Sequence, residues 1–380
     1  MSSTCNTKLA FFLPSLRGGG AERVTVNLLK GLAKTGMSLD LVLVKAEGVY
    51  LSELPDCIRV IDLRCRRVIS SVPGLMRYLR KERPAVLISA MVHANLAALL
   101  ARRLAGGHTK LVVVDHSTLS RASAQSSSRK EQLMMPLLAR HWYRWADGIG
   151  AVSQGVADDL SRVTGIARDQ IRVLYNPVVR EELFDKAKED VTHPWLHDIQ
   201  QEKSTLNETS VPLIIAIGRL TQPKDFSTLI RAFAMLIKHC DARLLILGEG
   251  EERDALALLT KKLGLDNCVQ MPGFVVNPYA YLTRASLFVL SSQWEGLPTV
   301  LVEALALGVP VVATDCESGP REILVNGRYG RLVPVRDSAA LAEQMLAALE
   351  QPNFDVPGEA WKPFSEDTAV TNYLNFIGSL

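Results

Sequence analysis

Apolar runs of strand length recur along the chain, and most are followed by a segment whose apolar residues fall at helical spacing. In the first half "KLAFFLPS" leads into "AERVTVNLLKGLAKTG", "AVLISA" into "NLAALLARRLA" and "GIGAVS" into "QGVADDLSRVTG", with "LDLVLVK", "KLVVVDH" and "IRVLYNP" as further strands. The pattern restarts with "PLIIAIGRL" before "DFSTLIRAFAMLIKH", "ARLLILGEG" before "ERDALALLTKKLG", "LFVLSS" before "TVLVEALALG" and "GRLVPV" before "SAALAEQMLAALE"; "CVQMPGF" and "PVVATD" add two strands. Strands that are apolar throughout, alternating with helices, predict parallel sheets covered on both faces. The expectation is α/β, with two doubly wound, Rossmann-like domains. Ligands of such sheets lie at the carboxyl ends of the strands, so two sheets facing each other would make a central cleft.

Length agrees with two domains, because 380 residues exceed one ordinary core and a 48% hydrophobic composition can fill two. The polar stretch from Asp185 to Pro212 reads as linker and surface insertion, which sets domains at 1–180 and from 213 onward, with 181–212 between them. Six scattered cysteines without a C-x-x-C pair suggest neither a disulfide framework nor a zinc site, and fit a reducing cytoplasm. The N-terminus shows no signal-peptide pattern. The longest apolar run, Ala85 to Ala101, is shorter than a bilayer span and carries His93 and Asn95, so it reads as a buried strand and then a helix.

The formal charge of +3 conceals a division. Residues 1–180 carry 26 Lys and Arg against 13 Asp and Glu, and the remainder carries 17 against 27. Drift of surface charge between two folded units is one explanation; an anionic partner for the first half, either a membrane leaflet or a phosphate-bearing ligand, is the other. Nucleic acid fits poorly, because aromatic residues make up only 6% and no binding motif is present.

Several strand ends carry residues suited to such a cleft. "SLRGGGAER" follows the first strand, where Gly18, Gly19 and Gly20 form either a plain tight turn or a close backbone approach to an anion at a helix N-terminus; the spacing is not G-x-G-x-x-G. "GRLTQPKDF" sets Arg219 at a strand end and Lys224 just before the next helix, cations that pair with surface acids or face a diphosphate. His116 ends "VVVDH", a place for a packed core histidine or a site residue. In "SSQWEGLPTVLVEALALGVPVVATD", Pro298 suits the first turn of a helix whose early amides, over Gly296, Leu297, Thr299 and Val300, lack intrahelical partners. Capping would explain Glu295, and an exposed salt bridge would explain Glu303. "TVLV" and "ALAL" on either side of Glu303 nevertheless favour a carboxylate that binds something.

These segments together, the two glutamates with seven residues between them, the Gly-Leu-Pro turn, "ALGVPVVATD", the "GRL…K" pair, "GGGAE" and "ADGIGAVS", resemble glycosyltransferase family 4, the retaining transferases of the GT-B fold. "TDCESGPREIL" is similar to bacterial enzymes that extend lipid-linked or surface oligosaccharides, including lipopolysaccharide. The resemblance implies that Glu303 holds the ribose of a sugar nucleotide and Glu295 a hydroxyl of the transferred sugar. Backbone from Leu297 to Val300, Pro298 included, would line the sugar and diphosphate, while Arg219 and Lys224 would neutralise the leaving group. Gly18, Gly19 and Gly20 would close over the donor, His116 would lie beside the sugar, and Phe274 and Val275 would border the base. It also implies that 364–380 crosses back to the N-terminal domain, leaving 213–363 as the nucleotide-sugar domain. The acceptor would be lipid-linked or another glycan, and the carrier uridine diphosphate bearing a hexose or N-acetylhexosamine.

No residue is an evident nucleophile, so a same-face substitution assisted by the leaving diphosphate is expected. There is no D-x-D, and neither a metal nor another cofactor is expected. Two other readings of the fold are a GT-B epimerase and a noncatalytic protein that binds sugar nucleotides or lipids; the latter would be expected to lack one of Glu295, Lys224 or His116, and all three are present. Two basic, apolar segments, Cys65 to Pro84 and Ser127 to Asp147, read singly as amphipathic helices with the apolar side in the core. Together with the basic first half and a lipid-linked acceptor, they predict peripheral binding to the anionic inner face of the cytoplasmic membrane.

Overall fold

In the computed structural model, which describes residues 8–124, 129–196, 211–351 and 356–380, the apolar runs become two wholly parallel sheets. β1 (Lys8–Leu13), β2 (Ser38–Leu43), β3 (Ile58–Asp62), β4 (Val86–Ala90), β5 (Lys110–Asp115), β6 (Gly148–Ala151) and β7 (Ile171–Val173) pair in the order β3-β2-β1-β4-β5-β6-β7. Phe11 of β1 sits between Leu41 and Ile88 of its neighbours, and all three are buried. The second sheet comprises β8 (Leu213–Ile217), β9 (Arg243–Leu247), β10 (Val269–Gly273), β11 (Leu287–Leu290), β12 (Val311–Thr314) and β13 (Arg331–Val333), ordered β10-β9-β8-β11-β12-β13. In both sheets the order reverses direction beside the first strand, which is the position where doubly wound sheets hold ligands.

The chain divides into two compact units, Met1–Val178 with Phe364–Leu380, and Val179–Pro363. In the first, the final helix Glu366–Gly378 packs on the helix Gly20–Ala33. Side chains of the final helix pack directly on Gly31, where a Cβ would lie 2.7 Å from Val370 Cγ2, and Lys34 pairs with Glu366 nearby. Ala369, Val370 and Tyr373 supply the buried face. In the second, the helices Phe226–Leu236 and Ser338–Glu350 pack together, and Phe226, Phe233, Leu341 and Met345 join a core with Leu244 and Val289 of the sheet.

One expectation needs correction, and the placing of one helix's apolar side in the core holds only in part. Residues 181–196 are no linker: the helix Glu181–Ala187 and the buried His193, Trp195 and Leu196 belong to the second unit. Asn277 Nδ2 donates to the Lys186 carbonyl at 2.8 Å and to Glu189 at 2.7 Å, fastening this segment to the loop after β10. The remainder of the expected insertion, 197–210, lies outside the described residues. The helix Arg129–Trp142 buries Met135 and Ala139 but turns Leu133, Met134 and Leu137 outward, with 71%, 54% and 55% of their surface exposed. Its outer face is therefore apolar, where a surface helix ordinarily places polar groups. The side chains of Arg129 and Lys130 lie outside the described residues.

Candidate functional site

In the second unit the site grows from three loops at the carboxyl ends of neighbouring strands. After β8 the chain passes through Gly218 and Arg219 into a short turn, Gln222–Lys224, closed by Asp225. Asp225 adopts a left-handed backbone (φ 46°), and its carboxylate accepts from the Thr228 amide at 3.3 Å and the Thr228 hydroxyl at 2.9 Å. This cap starts the helix Phe226–Leu236 and fixes where Lys224 emerges. Lys224 lies across Gly218, where a Cβ would stand 3.4 Å from its Cε. The loop after β9 explains "GEG": a Cβ on Gly248 would sit 1.9 Å from the Gly218 carbonyl oxygen, and one on Gly250 would sit 2.2 Å from that of Leu220. Only glycine lets these two strand-end loops touch.

β11 is the neighbour of β8 in the sheet, and the loop after it brings Glu295 to Lys224. Lys224 Nζ donates to Glu295 Oε1 at 2.6 Å, and the Ser292 hydroxyl donates to the same oxygen at 2.7 Å. The pair is largely buried, with side-chain exposures of 22% for Lys224 and 11% for Glu295. Ser291 donates to the Lys224 carbonyl at 2.8 Å, and the Gln293 amide to the Pro223 carbonyl at 2.8 Å, so the two loops are also joined through backbone. Glu295 is thus held by an ion pair and a hydroxyl, not engaged as a helix cap. Arg219 is exposed on the same strand-end loop and makes no side-chain hydrogen bond or ion pair among the described residues.

Pro298 is the cap residue of the helix Thr299–Ala306, one position earlier than its expected place in the first turn. Gly296 and Leu297 lead into it, and the first amides of the helix have no intrahelical acceptor. Glu303 is the fifth residue of this helix. Its apolar neighbours Leu301, Val302, Ala304 and Leu305 face the core, whereas Thr299, Val300 and Glu303 are partly exposed along one stripe. The apolar bracket around Glu303 is therefore the buried side of an amphipathic helix, and the carboxylate shares the stripe that heads the turn.

The loop after β12 closes this end of the unit. Ser318 and Gly319 abut the Gly296–Pro298 turn, and a cavity of about 450 Å³ opens beside them, lined by Asp315, Arg321, Glu322 and Asn326 among others. Burial, with Glu295 adding to it, pushes the Cys316 thiol up to about 12, so the one buried cysteine here is a poor nucleophile. Phe274 and Val275 follow β10 at the edge of the sheet, separated from β11 by β9 and β8, and Phe274 is exposed.

The first unit contributes the remaining predicted residues, at the carboxyl ends of β1 and β5, with β4 between them. Gly19 caps the helix that begins at Gly20, and Gly18 has a φ of 128° that favours glycine. The amides of Gly18 and Gly19 do not await an anion. They donate to Glu22 Oε2 at 2.8 and 3.0 Å, while Ser15 donates to Oε1 at 3.3 Å, so a buried carboxylate of the chain itself fills the helix N-terminus. Glu22 is the residue that the sequence reading missed; a glutamate three positions past a capping residue is the signal that would have found it.

His116 follows β5 and is half-buried in dense surroundings that lower its pKa to about 4, leaving a neutral imidazole at pH 7. Beside it in the chain, Asp115 is buried and accepts at Oδ1 from Asn95 Nδ2 and the Tyr143 hydroxyl, each at 3.2 Å. Burial raises its pKa to about 7 against the opposing effect of those two donors. The structure therefore gathers the predicted residues in two groups: Gly18, Gly19, Gly20 and His116 in one unit, and all the others in the second.

Comparison with known proteins decides what this arrangement belongs to. The model of Glycosyltransferase Family 4 matches residues 18–182, and that of Glycosyl transferases group 1 matches residues 198–358. Over 354 residues, 90% of each chain, the protein is 32% identical to an N-acetylgalactosamine-N,N'-diacetylbacillosaminyl-diphospho-undecaprenol 4-alpha-N-acetylgalactosaminyltransferase of Campylobacter jejuni. The chain belongs to glycosyltransferase family 4. Another relative of this family 4 chain is the lipopolysaccharide core biosynthesis glycosyltransferase LpsE of Rhizobium meliloti, 28% identical across 88% of this chain and 86% of that one. Among solved structures, Anabaena HepE in complex with UDP superposes with a TM-score of 0.77 at 21% identity, covering 98% of this chain and 100% of that one. A glycosyltransferase of Rickettsia africae superposes at 0.78 with 19% identity, covering 98% of each. These likenesses, with the two parallel sheets, show the GT-B fold.

Proposed function

We propose that this family 4 glycosyltransferase transfers an N-acetylhexosamine or hexose from UDP, with retention of configuration, to a lipid-linked or other glycan acceptor in cell-surface polysaccharide biosynthesis. The observation that carries the reading is the Lys224–Glu295–Ser292 constellation on the loop that leads into the helix Thr299–Ala306. An ammonium paired to the loop that leads into a helix N-terminus suits a diphosphate, and a carboxylate fixed by two donors suits a sugar hydroxyl. Support for the acceptor class comes from the Campylobacter and Rhizobium relatives, and for the carrier from the UDP bound to HepE.

In this reading Glu303 holds the ribose and Glu295 a sugar hydroxyl, while Lys224 and Arg219 face the diphosphate. The bond from the anomeric carbon to the diphosphate oxygen breaks with its electron pair going to the diphosphate. The acceptor oxygen bonds to that carbon on the same face, and its proton passes to the departing phosphate oxygen. Lys224 stabilises the charge as it develops without reorganising, because its pair with Glu295 already holds it in place, and Arg219 adds its charge from the same strand-end loop. Incubating the protein with a panel of sugar nucleotides and a polyprenyl-diphosphate-linked acceptor, followed by mass spectrometry, tests the reading. One UDP-sugar should be consumed to yield a lipid-linked product, with or without EDTA; turnover of none refutes transferase action, and turnover only with added divalent metal refutes the metal-free mechanism.

The same reading places the enzyme on the cytoplasmic leaflet. No helix among the described residues is long and apolar enough to cross a membrane. The helix Arg129–Trp142 instead presents Leu133, Met134 and Leu137 to solvent, with Arg140 and Arg144 exposed near its end and Trp142 stacked on Trp145 at 5.3 Å. Exposed aliphatic side chains beside arginines and half-buried tryptophans suit the headgroup boundary of an anionic bilayer.

A further inference from the structure

We propose that Ser318 and Gly319, in the loop after β12, are positioning residues that set the donor-binding turn Gly296–Val300; this rests on the reading that the turn holds a sugar nucleotide. Pro298 has no amide hydrogen to anchor the turn, and the amides of Thr299 and Val300 precede the first intrahelical bonds. Anchors from the neighbouring loop therefore bear on its conformation. Ser318, buried at 3% exposure, donates its hydroxyl to the Gly296 carbonyl at 2.7 Å. Gly319, at φ 95°, lets the backbone press on the turn so closely that a Cβ would lie 2.3 Å from Pro298 Cδ and 3.4 Å from Leu297 Cα. At the root of the same loop, Thr314, fully buried, donates to the Ser292 carbonyl at 2.5 Å, and Ser292 in turn donates to Glu295. On the opposite side, Ser291 and the Gln293 amide tie the segment to the Lys224 loop. The stretch 291–298 is thus gripped from both flanking loops, and Ser318 with Gly319 forms the grip nearest the amides.

Neither residue faces the donor through its own side chain. They act through the carbonyl of Gly296 and the ring of Pro298, so their loss should misdirect the amides from Leu297 to Val300 and weaken ground-state binding, whereas Lys224 and Glu295 keep their own partners. The expected signature is a split: the Michaelis constant for the sugar nucleotide rises about 10-fold in Ser318→Ala, the loss of one hydrogen-bond anchor, and further in Gly319→Ala, with kcat within about twofold of wild type. Titration with UDP should show the same loss of affinity, and Ser318→Ala should melt within about 4 °C of wild type, the shift that roughly 1 kcal/mol gives a unit of this size. A sugar-nucleotide Michaelis constant that stays at its wild-type value in Ser318→Ala and Gly319→Ala overturns the proposal, and so does a fall in kcat at unchanged Michaelis constant. Wild-type protein that binds neither UDP nor any sugar nucleotide overturns the donor reading itself, a result separable from the first two.

Discussion

Replacing Lys224 by methionine removes the ammonium but keeps the length of the stem, and it leaves Glu295 with only the Ser292 hydroxyl. Stability and rate should respond separately. With the pair about four-fifths or more buried, removing one partner strands a charge in partial burial; hydrogen bonds to charged groups are worth roughly 1.5–3 kcal/mol, below the 3–5 kcal/mol of fully buried pairs. About 2 kcal/mol corresponds to a fall in melting temperature of roughly 4–8 °C for a unit of this size. Glu295→Gln should cost a similar amount for the complementary reason. The double variant strands neither charge, so it should be less destabilised than the sum of the single variants by roughly 1–3 kcal/mol of coupling. Turnover should not recover with it. Removing a charge-stabilising donor from a leaving-group site costs roughly 100- to 1000-fold in kcat, and the double variant should stay at that level. Thermal melts of wild type, both single variants and the double variant, with single-turnover rates at saturating donor, complete the cycle. Coupling below about 0.5 kcal/mol would show the ion pair to be energetically idle. Wild-type turnover in Lys224→Met would remove the lysine from catalysis whatever its stability.

Acid should act on the first unit through two opposed groups. The depressed pKa of His116, near 4, makes the folded state resist protonation, so that residue contributes stability that is lost as pH falls from about 6.5 toward 4; the raised pKa of Asp115, near 7, adds stability over much of the same range as pH falls. Melting temperatures from pH 7 to 4.5 should therefore fall more steeply in Asp115→Asn than in wild type and less steeply in His116→Gln; the reverse order would refute the assignment. Glu303→Ala should weaken binding of UDP-sugars by roughly 10- to 100-fold, from a lost charge-assisted hydrogen bond, with little change in melting temperature, and wild-type affinity in calorimetric titration would exclude it from the donor site. Leu133→Ser combined with Leu137→Ser should abolish flotation with anionic vesicles while leaving donor hydrolysis intact; equal flotation of wild type with neutral and anionic vesicles would defeat the membrane assignment.

Much of the protein was legible in its sequence because the signals are local. A strand covered on both faces must be apolar at successive positions, so "KLAFFL" and "LLIL" announce parallel sheets without reference to any other part of the chain. The turn at Gly296–Pro298 and the helix carrying Glu303 are equally local, and so was the capping glutamate Glu22, readable but not read. The outward face of the helix Arg129–Trp142 was not readable, because an apolar stripe looks the same in sequence whether it meets a core or solvent.

The site itself was decided by topology. Lys224 and Glu295 are 71 residues apart, and two strands lie between theirs in the chain; they meet because β11 skips past β9 and β10 to pair with β8. Ser318 reaches Gly296 for the same reason, since β12 pairs with β11 and carries its loop to the neighbouring strand end. The sequence by itself determined which segments form strands and helices and which residues stand at strand ends, since backbone periodicity and turn chemistry are set within a few residues. Which strand ends become neighbours depends on the order in which the sheet assembles, and that order is fixed by packing helices on both faces of the whole sheet, so only the tertiary structure could join the ammonium, the carboxylate and the turn.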